Sequence, residues 1–438
     1  MTIDTDEHNS DPYKIDIKLE NDKDNKLKRF FEKGLNALLD DKYFLLLHVP
    51  ENGNKMQVIR PATNSYHRKR IVKRINEAKR IPSFYYALSH LWGLTEDNRY
   101  HWNDISEYVD DEEGQPMKPV SMRPEKRDTL LAMLKDHPDS YWWIDVLCAR
   151  TDTPLDIMGD IYTCCLECIA MIDCDPDTIP KLHTMLGARD EFPDQFWTID
   201  YRNPDSYLPY KQIYDEKCPQ MMDTLCTLQQ SSWWTRVWTW QEMALPFGDV
   251  RLMSETGAHQ PSCNTITLDN LYDRFSGVAA FLIFYGREQK NLNEKDALLH
   301  EKAEVVSSWL GGITDARGIN KDRLEPEMSG ITIHDLILSL GESTRRCYDP
   351  CDYVYGVLGM LQIKIPRMAD ADEVWDRFLD ELDDYIDNLE DNELASGALV
   401  GTSDRARQIN LLEAKNMKDV YNDLLVIEED EFDCHNFA

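Results

Sequence analysis

Three short runs dominated by large apolar side chains, residues 84–89, 141–147 and 169–173, alternate with stretches of helical pattern. A strand that is apolar along its whole length must be buried on both faces, which is the signature of a parallel sheet covered by helices rather than of a half-wet antiparallel one. The intervening segments agree. Pro124 opens a helix through Leu130, Leu131 and Leu134, and Thr153-Pro154-Leu155-Asp156 reads as an N-cap with proline at the first position. The helix that follows carries Ile157, Met158, Ile161, Tyr162 and Cys165 on one face, and 250–254 supplies a further short strand. Ligand sites in such sheets lie outside the carboxyl ends of the strands, here Ser89-His90, Asp145 to Cys148 and Asp173-Cys174.

The chain of 438 residues is long enough for two or three domains of about 150 residues. With 42% hydrophobic and 29% charged residues it can bury a large core. Lys+Arg 48 against Asp+Glu 80 leaves a net charge of −32, which argues against nucleic acid and anionic membrane as partners. The first residues show neither a basic stretch nor an apolar run, and the most apolar window, 277–286, is far short of the roughly 20 residues of a membrane span. Eleven cysteines in such a chain read as reduced thiols, so a cytoplasmic protein is expected.

The charge is concentrated at the end. Residues 370–393 hold twelve acids against Arg377, and 419–438 hold seven with no Lys or Arg, so −18 of the −32 lies in these two stretches. Within the first, Trp375, Phe378, Leu379, Leu382, Tyr385, Ile386 and Leu389 recur at helical spacing and predict an acidic amphipathic helix. These patterns divide the chain into a disordered acidic N-terminus (1–27), an N-terminal helix and β-hairpin element (28–80), an α/β domain (81–255) with an insertion at about 175–218, a helical C-terminal region (256–418) and an acidic tail (419–438). The hairpin is expected around Glu51-Asn52-Gly53-Asn54, since Asn-Gly supplies the positive φ of a tight turn. Basic residues gather at Arg68-Lys69-Arg70, Lys73-Arg74 and Lys79-Arg80, as the solvated face of a helix or as an anion contact.

Familiar catalytic signatures are missing: no G-x-G-x-x-G, no phosphate-cradling loop, no G-x-S-x-G and no H-E-x-x-H. Five cysteines fall between 148 and 174, but Cys164, Cys165 and Cys168 are placed on a helix leading into a buried strand and read as core side chains, so no metal site is expected. Cys148, at a strand end, could be a nucleophile if His90 reached it. The densest signal is Trp233-Trp234-Thr235-Arg236-Val237-Trp238-Thr239-Trp240-Gln241-Glu242, read as a helix anchored in the core by four indoles. Glu242 is then either an acid on the wet side of that helix or a carboxylate held rigidly at a cleft edge. The second is what glycosidic cleavage requires, because positive charge develops on the sugar.

Several blocks occur in a specific order: Tyr85-Tyr86-Ala87-Leu88-Ser89-His90-Leu91-Trp92-Gly93, then Trp143-Ile144-Asp145-Val146-Leu147-Cys148, Met158-x-x-Ile161-Tyr162, and Trp234-Thr235-Arg236-Val237-Trp238-x-x-Gln241-Glu242. Together they resemble the fungal heterokaryon-incompatibility (HET) domain. Asp349-Pro350-Cys351-Asp352-Tyr353-Val354-Tyr355-Gly356-Val357-Leu358-Gly359 is similar to a segment that commonly follows it. One departure stands out: Cys148-Ala149-Arg150-Thr151 replaces the usual Cys-Ile-Asn-Gln, and Met158 follows more than a helical turn sooner.

The resemblance implies fungal self/non-self recognition and programmed cell death. It also implies an α/β, flavodoxin-like sheet similar to that of Toll/interleukin-receptor (TIR) domains, with helices on both faces, followed by a mainly helical C-terminal region. Some TIR domains cleave NAD with a Glu four residues after a helix Trp, the spacing of Trp238 and Glu242. Carried over, Glu242 is the catalytic residue and NAD the substrate, with no bound cofactor. Ser89, His90, Trp92 and Gly93 line the nucleotide pocket, Asp145 and Arg150 flank it, and Trp238 completes it. Such domains commonly self-associate, so a homo-oligomer and an unidentified protein partner are expected. Two other readings stand beside this one: a non-enzymatic interaction module, and a hydrolase using Cys148.

Overall fold

Each apolar run becomes a strand of one eight-stranded sheet in the computed structural model, which describes residues 11–92, 101–186, 211–257, 264–288, 293–322, 324, 330–388, 403–421 and 424. In chain order the strands are β1 (Leu46–Val49), β2 (Met56–Ile59), β3 (Tyr85–His90), β4 (His101–Trp102), β5 (Val109–Asp110), β6 (Val120–Ser121), β7 (Ser140–Ile144), β8 (Glu167–Ile172), β9 (Val250–Ser254) and β10 (Thr265–Thr267). The order across the sheet is β10-β9-β8-β3-β7-β1-β2-β5, while β4 and β6 form a separate ribbon. At its centre β3 pairs in parallel with both β7 and β8, and almost every residue of these three strands is buried, as their uninterrupted apolar character requires. The flanks differ from the purely parallel expectation: β1 runs antiparallel to β2 and β7, and β10 antiparallel to β9. A short turn can only return the chain antiparallel, and Gly53 in the β1–β2 turn has φ 67°, the left-handed conformation that suits glycine.

The hairpin is therefore not an element of its own. His48 lies opposite Tyr141 and Leu47 opposite Trp142, so β1 extends the central sheet past β7. Residues 11–25 form no helix or strand, yet Ile15 and Ile17 are buried and the Asp16 N–H donates to Asn76 Oδ1 at 2.7 Å. These buried side chains, with hydrogen bonds to Asn76 and Glu32, hold this polar segment on the fold, in place of the disorder its composition suggested.

The residues divide into two units. The first comprises residues 1–153, 160–171 and 246–267 and holds the sheet. The second comprises 154–159, 172–245 and 268–438 and is mainly helical. Its longest helices are Leu268–Glu288 and Glu294–Asp322. The acidic stretch forms the helix Ala371–Asp387, capped by the Asp370 carboxylate on the N–H groups of Asp372 and Glu373. Val374, Trp375, Phe378, Leu379, Leu382 and Ile386 are its buried stripe, and Leu389 lies outside the described residues. Most of the acidic tail and of the 175–218 insertion, residues 187–210 included, also falls outside them, although Val420, Tyr421 and Leu424 are buried.

Within the second unit two glycines touch. A Cβ on Gly359 would stand 2.5 Å from the Gly159 Cα and 2.6 Å from Gln241 Oε1. Backbone cannot yield as a flexible side chain does, so Gly359→Ala is expected to cost about 1–3 kcal/mol by overpacking, read as a lowered urea midpoint. An unchanged midpoint would contradict this contact.

Candidate functional site

β3 lies between β7 and β8, with β9 beyond β8, so the first of these four strands in chain order sits between the second and third. In open α/β sheets a crevice forms where the order reverses, outside the carboxyl ends of the strands. His90 ends β3, and Asp145 begins the helical turn Asp145–Cys148 directly after β7. The structure joins them. His90 Nε2 lies 2.9 Å from Asp145 Oδ1 and its Nδ1 lies 3.0 Å from the Leu91 carbonyl oxygen. Carboxylate and carbonyl oxygens only accept, so both contacts are satisfied when the ring carries a proton on each nitrogen.

Asp145 is the hub. Its Oδ1 also accepts the Val146 N–H at 2.6 Å, and its Oδ2 accepts the Trp92 indole N–H at 2.6 Å. Burial works to raise its pKa, but the His90 charge and the hydrogen bonds from His90, Trp92 and Val146 outweigh it and hold the carboxyl below its ordinary range. Trp92 is thereby fixed by its N–H edge while 45% of its surface stays exposed, an unusual state for so large an apolar ring. Ser89, on β3, is fully buried and belongs to the support of this platform rather than to its surface. Gly93 lies outside the described residues.

Sequence reasoning overlooked the layer behind the platform. Lys126, on the helix Pro124–Lys135, has no exposed surface and donates to the Leu91 carbonyl oxygen. Its Nζ lies 3.0 Å from Glu255 Oε2, and Arg123 pairs with the other oxygen of the same carboxylate. This chain of contacts pins Leu91, the residue between His90 and Trp92, to the end of β9. A lysine near a helix start ordinarily reads as solvated, and only its tertiary neighbours distinguish this one.

Arg150, expected beside Asp145, donates to the Leu147 and Ala149 carbonyls at 2.7 and 3.1 Å and to both oxygens of Glu112 at 3.3 and 2.5 Å. Two other expectations are corrected, the helix cap at Thr153 and the nucleophile at Cys148. The Arg150 backbone N–H binds Thr153 Oγ1, so Thr153 closes this turn instead of capping a helix, and the next helix begins at Ile157. Cys148 is no nucleophile. Its side chain is buried against the Trp142 carbonyl at 3.8 Å, and burial pushes the thiol up to about 12, while the His90 nitrogens face Asp145 and Leu91.

Glu242 and Trp238 belong to the second unit. The Trp-rich segment is not one helix. A 3₁₀ turn, Ser232–Thr235, is capped by the Asp173 carboxylate on the N–H groups of Ser232 and Trp233 at 3.0 and 3.1 Å. Arg236 is extended, with the Val237 N–H donating to the Arg346 carbonyl, and only then does the helix Trp238–Ala244 start. Trp238 and Glu242 share one face of that helix, and Asp352 accepts from the Trp238 indole. Glu242 is not on a wet side: its exposure is 7%. A charge that acts with it is Arg345, itself buried. Its guanidinium donates to the Arg236 carbonyl and to Thr239 Oγ1, both at 2.7 Å, and stacks 4.6 Å from the Trp240 ring. Burial draws the Arg345 pKa below the guanidinium range and Glu242 opposes that shift. The side chain of Gln241, next to Glu242, is fully buried with neither amide atom hydrogen-bonded.

Among the described residues no group of three or more His, Cys, Asp or Glu side chains could hold a metal ion, and no helix is long and apolar enough to cross a membrane. Residues 85–242 match the family model of heterokaryon incompatibility protein (HET). The chain thus carries a HET domain that runs from the first residue of β3 to Glu242, and the role such a domain supports is one in heterokaryon incompatibility. No curated protein and no solved structure matches the chain.

Proposed function

We propose that this protein acts in fungal self/non-self recognition and programmed cell death, in the cytoplasm, as a HET-domain enzyme that hydrolyses NAD. The observation that carries the reading is the Trp92–Asp145–His90 arrangement at the carboxyl ends of β3 and β7. An exposed indole whose rotation is blocked by a charged hydrogen bond offers a fixed aromatic face, suited to the flat ring of a nicotinamide or adenine. In the reaction the C1′–N bond to nicotinamide breaks and the bonding electron pair leaves with the nicotinamide. Water then adds to C1′ and releases a proton, giving ADP-ribose. The position of Glu242, four residues beyond Trp238, supports a role for its carboxylate in favouring the cationic sugar of the transition state. Self-association of the domain accompanies activity.

The test is nicotinamide release from NAD by the purified full chain. Glu242→Gln is expected to lower kcat by 100-fold or more, and Trp92→Ala to raise KM with a smaller change in kcat. Specific activity is expected to rise with protein concentration. Release that survives Glu242→Gln removes Glu242 from the mechanism. No release at any protein concentration overturns the enzymatic reading in favour of a non-enzymatic interaction module. One observation already favours that second reading: the Glu242 charge is opposed by a buried arginine, as in a structural ion pair.

A further inference from the structure

At the other end of β7 a second set of ionisable side chains comes together, away from the platform. His48 of β1 and His67 of the helix Ser65–Glu77 meet with ring centroids 4.6 Å apart, and both contact the ring of Tyr141. His67 Nδ1 lies 2.8 Å from the Tyr141 hydroxyl, and Tyr66 packs edge-on against the His67 ring. Arg70 NH1 reaches His48 Nε2 at 3.4 Å and its other terminal nitrogen pairs with Asp139. Arg74 donates to the Asp139 carboxylate at 2.6 Å and to its carbonyl at 2.7 Å, with its guanidinium over the Tyr141 ring at 5.2 Å. Asp139, just before β7, holds φ 56°, a conformation uncommon outside glycine and here kept by the two arginines.

The charge balance is one-sided. Arg70 and Arg74 face the single carboxylate of Asp139, and the phenols of Tyr66 and Tyr141 are uncharged. His48 Nε2 lies between Arg70 NH1 at 3.4 Å and Asp139 Oδ1 at 3.8 Å; a guanidinium only donates, so the shorter contact is a hydrogen bond when the ring is neutral, and burial with Arg70 outweighs the pull of Asp139 toward the charged ring. A proton on it would abolish this hydrogen bond and place like charges 3.4 Å apart. A proton on His67 would meet His48, Arg70 and Arg74 in the same half-buried space.

We propose that these residues form an acid-operated latch, in which proton uptake by His48 and His67 sets positive charge against Arg70 and Arg74 and releases the helix Ser65–Glu77 from β1 and β7. Release uncovers Ile71, Val72 and Ile75, which the closed helix buries. The basic run of the sequence then has a purpose other than anion contact: Arg70 and Arg74 make the site intolerant of further protons. This inference is independent of the NAD reading.

The sign follows from linkage. Burial, followed by His48 and Arg70, lowers the His67 pKa from 6.5 to about 4, and burial, followed by Arg70, lowers that of His48. Imidazoles depressed in the closed state contribute closure that is complete above pH 6.5 and is lost as the pH falls toward 4. Through His67 alone, acidification from pH 7.5 to 5.0 multiplies the released population by roughly 30.

Amide hydrogen exchange of the full chain at pH 7.5 and 5.0, corrected for intrinsic rates, tests this. Protection over residues 65–77 is expected to fall at least ten-fold in the wild type while the helix Pro124–Lys135 of the same unit keeps its protection. His48→Asn/His67→Gln is expected to reduce the pH effect to less than two-fold. Should that variant fold poorly, Arg70→Gln, which removes one opposing cation, is expected to shrink the effect several-fold. The latch is overturned if wild-type protection over 65–77 is unchanged, if both helices lose protection in parallel, or if the variants respond to acid as the wild type does.

Discussion

Replacing Arg345 by methionine is expected to destabilise the helical unit by about 3–5 kcal/mol, seen as a lowered midpoint in urea. The guanidinium is buried, donates two hydrogen bonds to the Arg236 carbonyl and Thr239, and lies over the Trp240 ring. Removing it also takes away a positive charge that acts on the buried Glu242 carboxylate. The compensating variant separates the causes. If the uncompensated carboxylate dominates, Arg345→Met/Glu242→Gln recovers most of the loss. If the double variant stays as weak as the single one, the stacking and hydrogen bonds carry the effect and the pairing with Glu242 does not.

The second large effect is expected at Lys126. Lys126→Met takes one of two neighbouring cations from Glu255, 2% exposed, leaving Arg123 beside it, and takes one of two donors from the Leu91 carbonyl, leaving His90 Nδ1. A loss of about 3 kcal/mol is expected in the unit that holds the sheet, with most of it recovered by Lys126→Met/Glu255→Gln. The same substitution reports on the platform. Because Leu91 separates His90 from Trp92, ligand affinity at Trp92 is expected to drop in Lys126→Met even where the protein is fully folded, as calorimetry with NAD would register. Full stability in Lys126→Met would mean that the buried cation contributes nothing.

How legible all this is in the sequence depends on the range of the interaction. The central strands are marked by their own composition, since 84–89, 141–147 and 169–173 are dominated by large apolar side chains, with Ser89, Asp145 and Asp173 as the exceptions toward their carboxyl ends. The hairpin is marked by Asn52-Gly53. What a local pattern does not contain is the partner. Nothing in residues 46–49 says that they will lie beside 140–142, so the hairpin reads as a separate piece. The Trp-rich segment misleads for another reason. Its aromatic density suits a continuous helix, but the chain straightens at Arg236 to pair with Arg346, a residue more than a hundred positions away. The site shows the same limit. Trp92, His90 and Asp145 are individually conspicuous as residues at strand ends, whereas Lys126, Glu255 and Arg345 look like ordinary surface charges until the fold buries them. Buried charge is invisible to hydropathy because it contradicts the average behaviour of its residue type.

The placement of β1 has a practical outcome for anyone isolating the matched region. A fragment cut to residues 85–242 would lose β1, β2 and β9 together. Shorn of its neighbour, Ser140 to Trp142 would present bare N–H and C=O groups on a strand bearing Tyr141, Trp142 and Trp143, a ready template for pairing with another molecule. Such a fragment should precipitate, and soluble expression needs boundaries that begin upstream of Leu46 and run past Thr267.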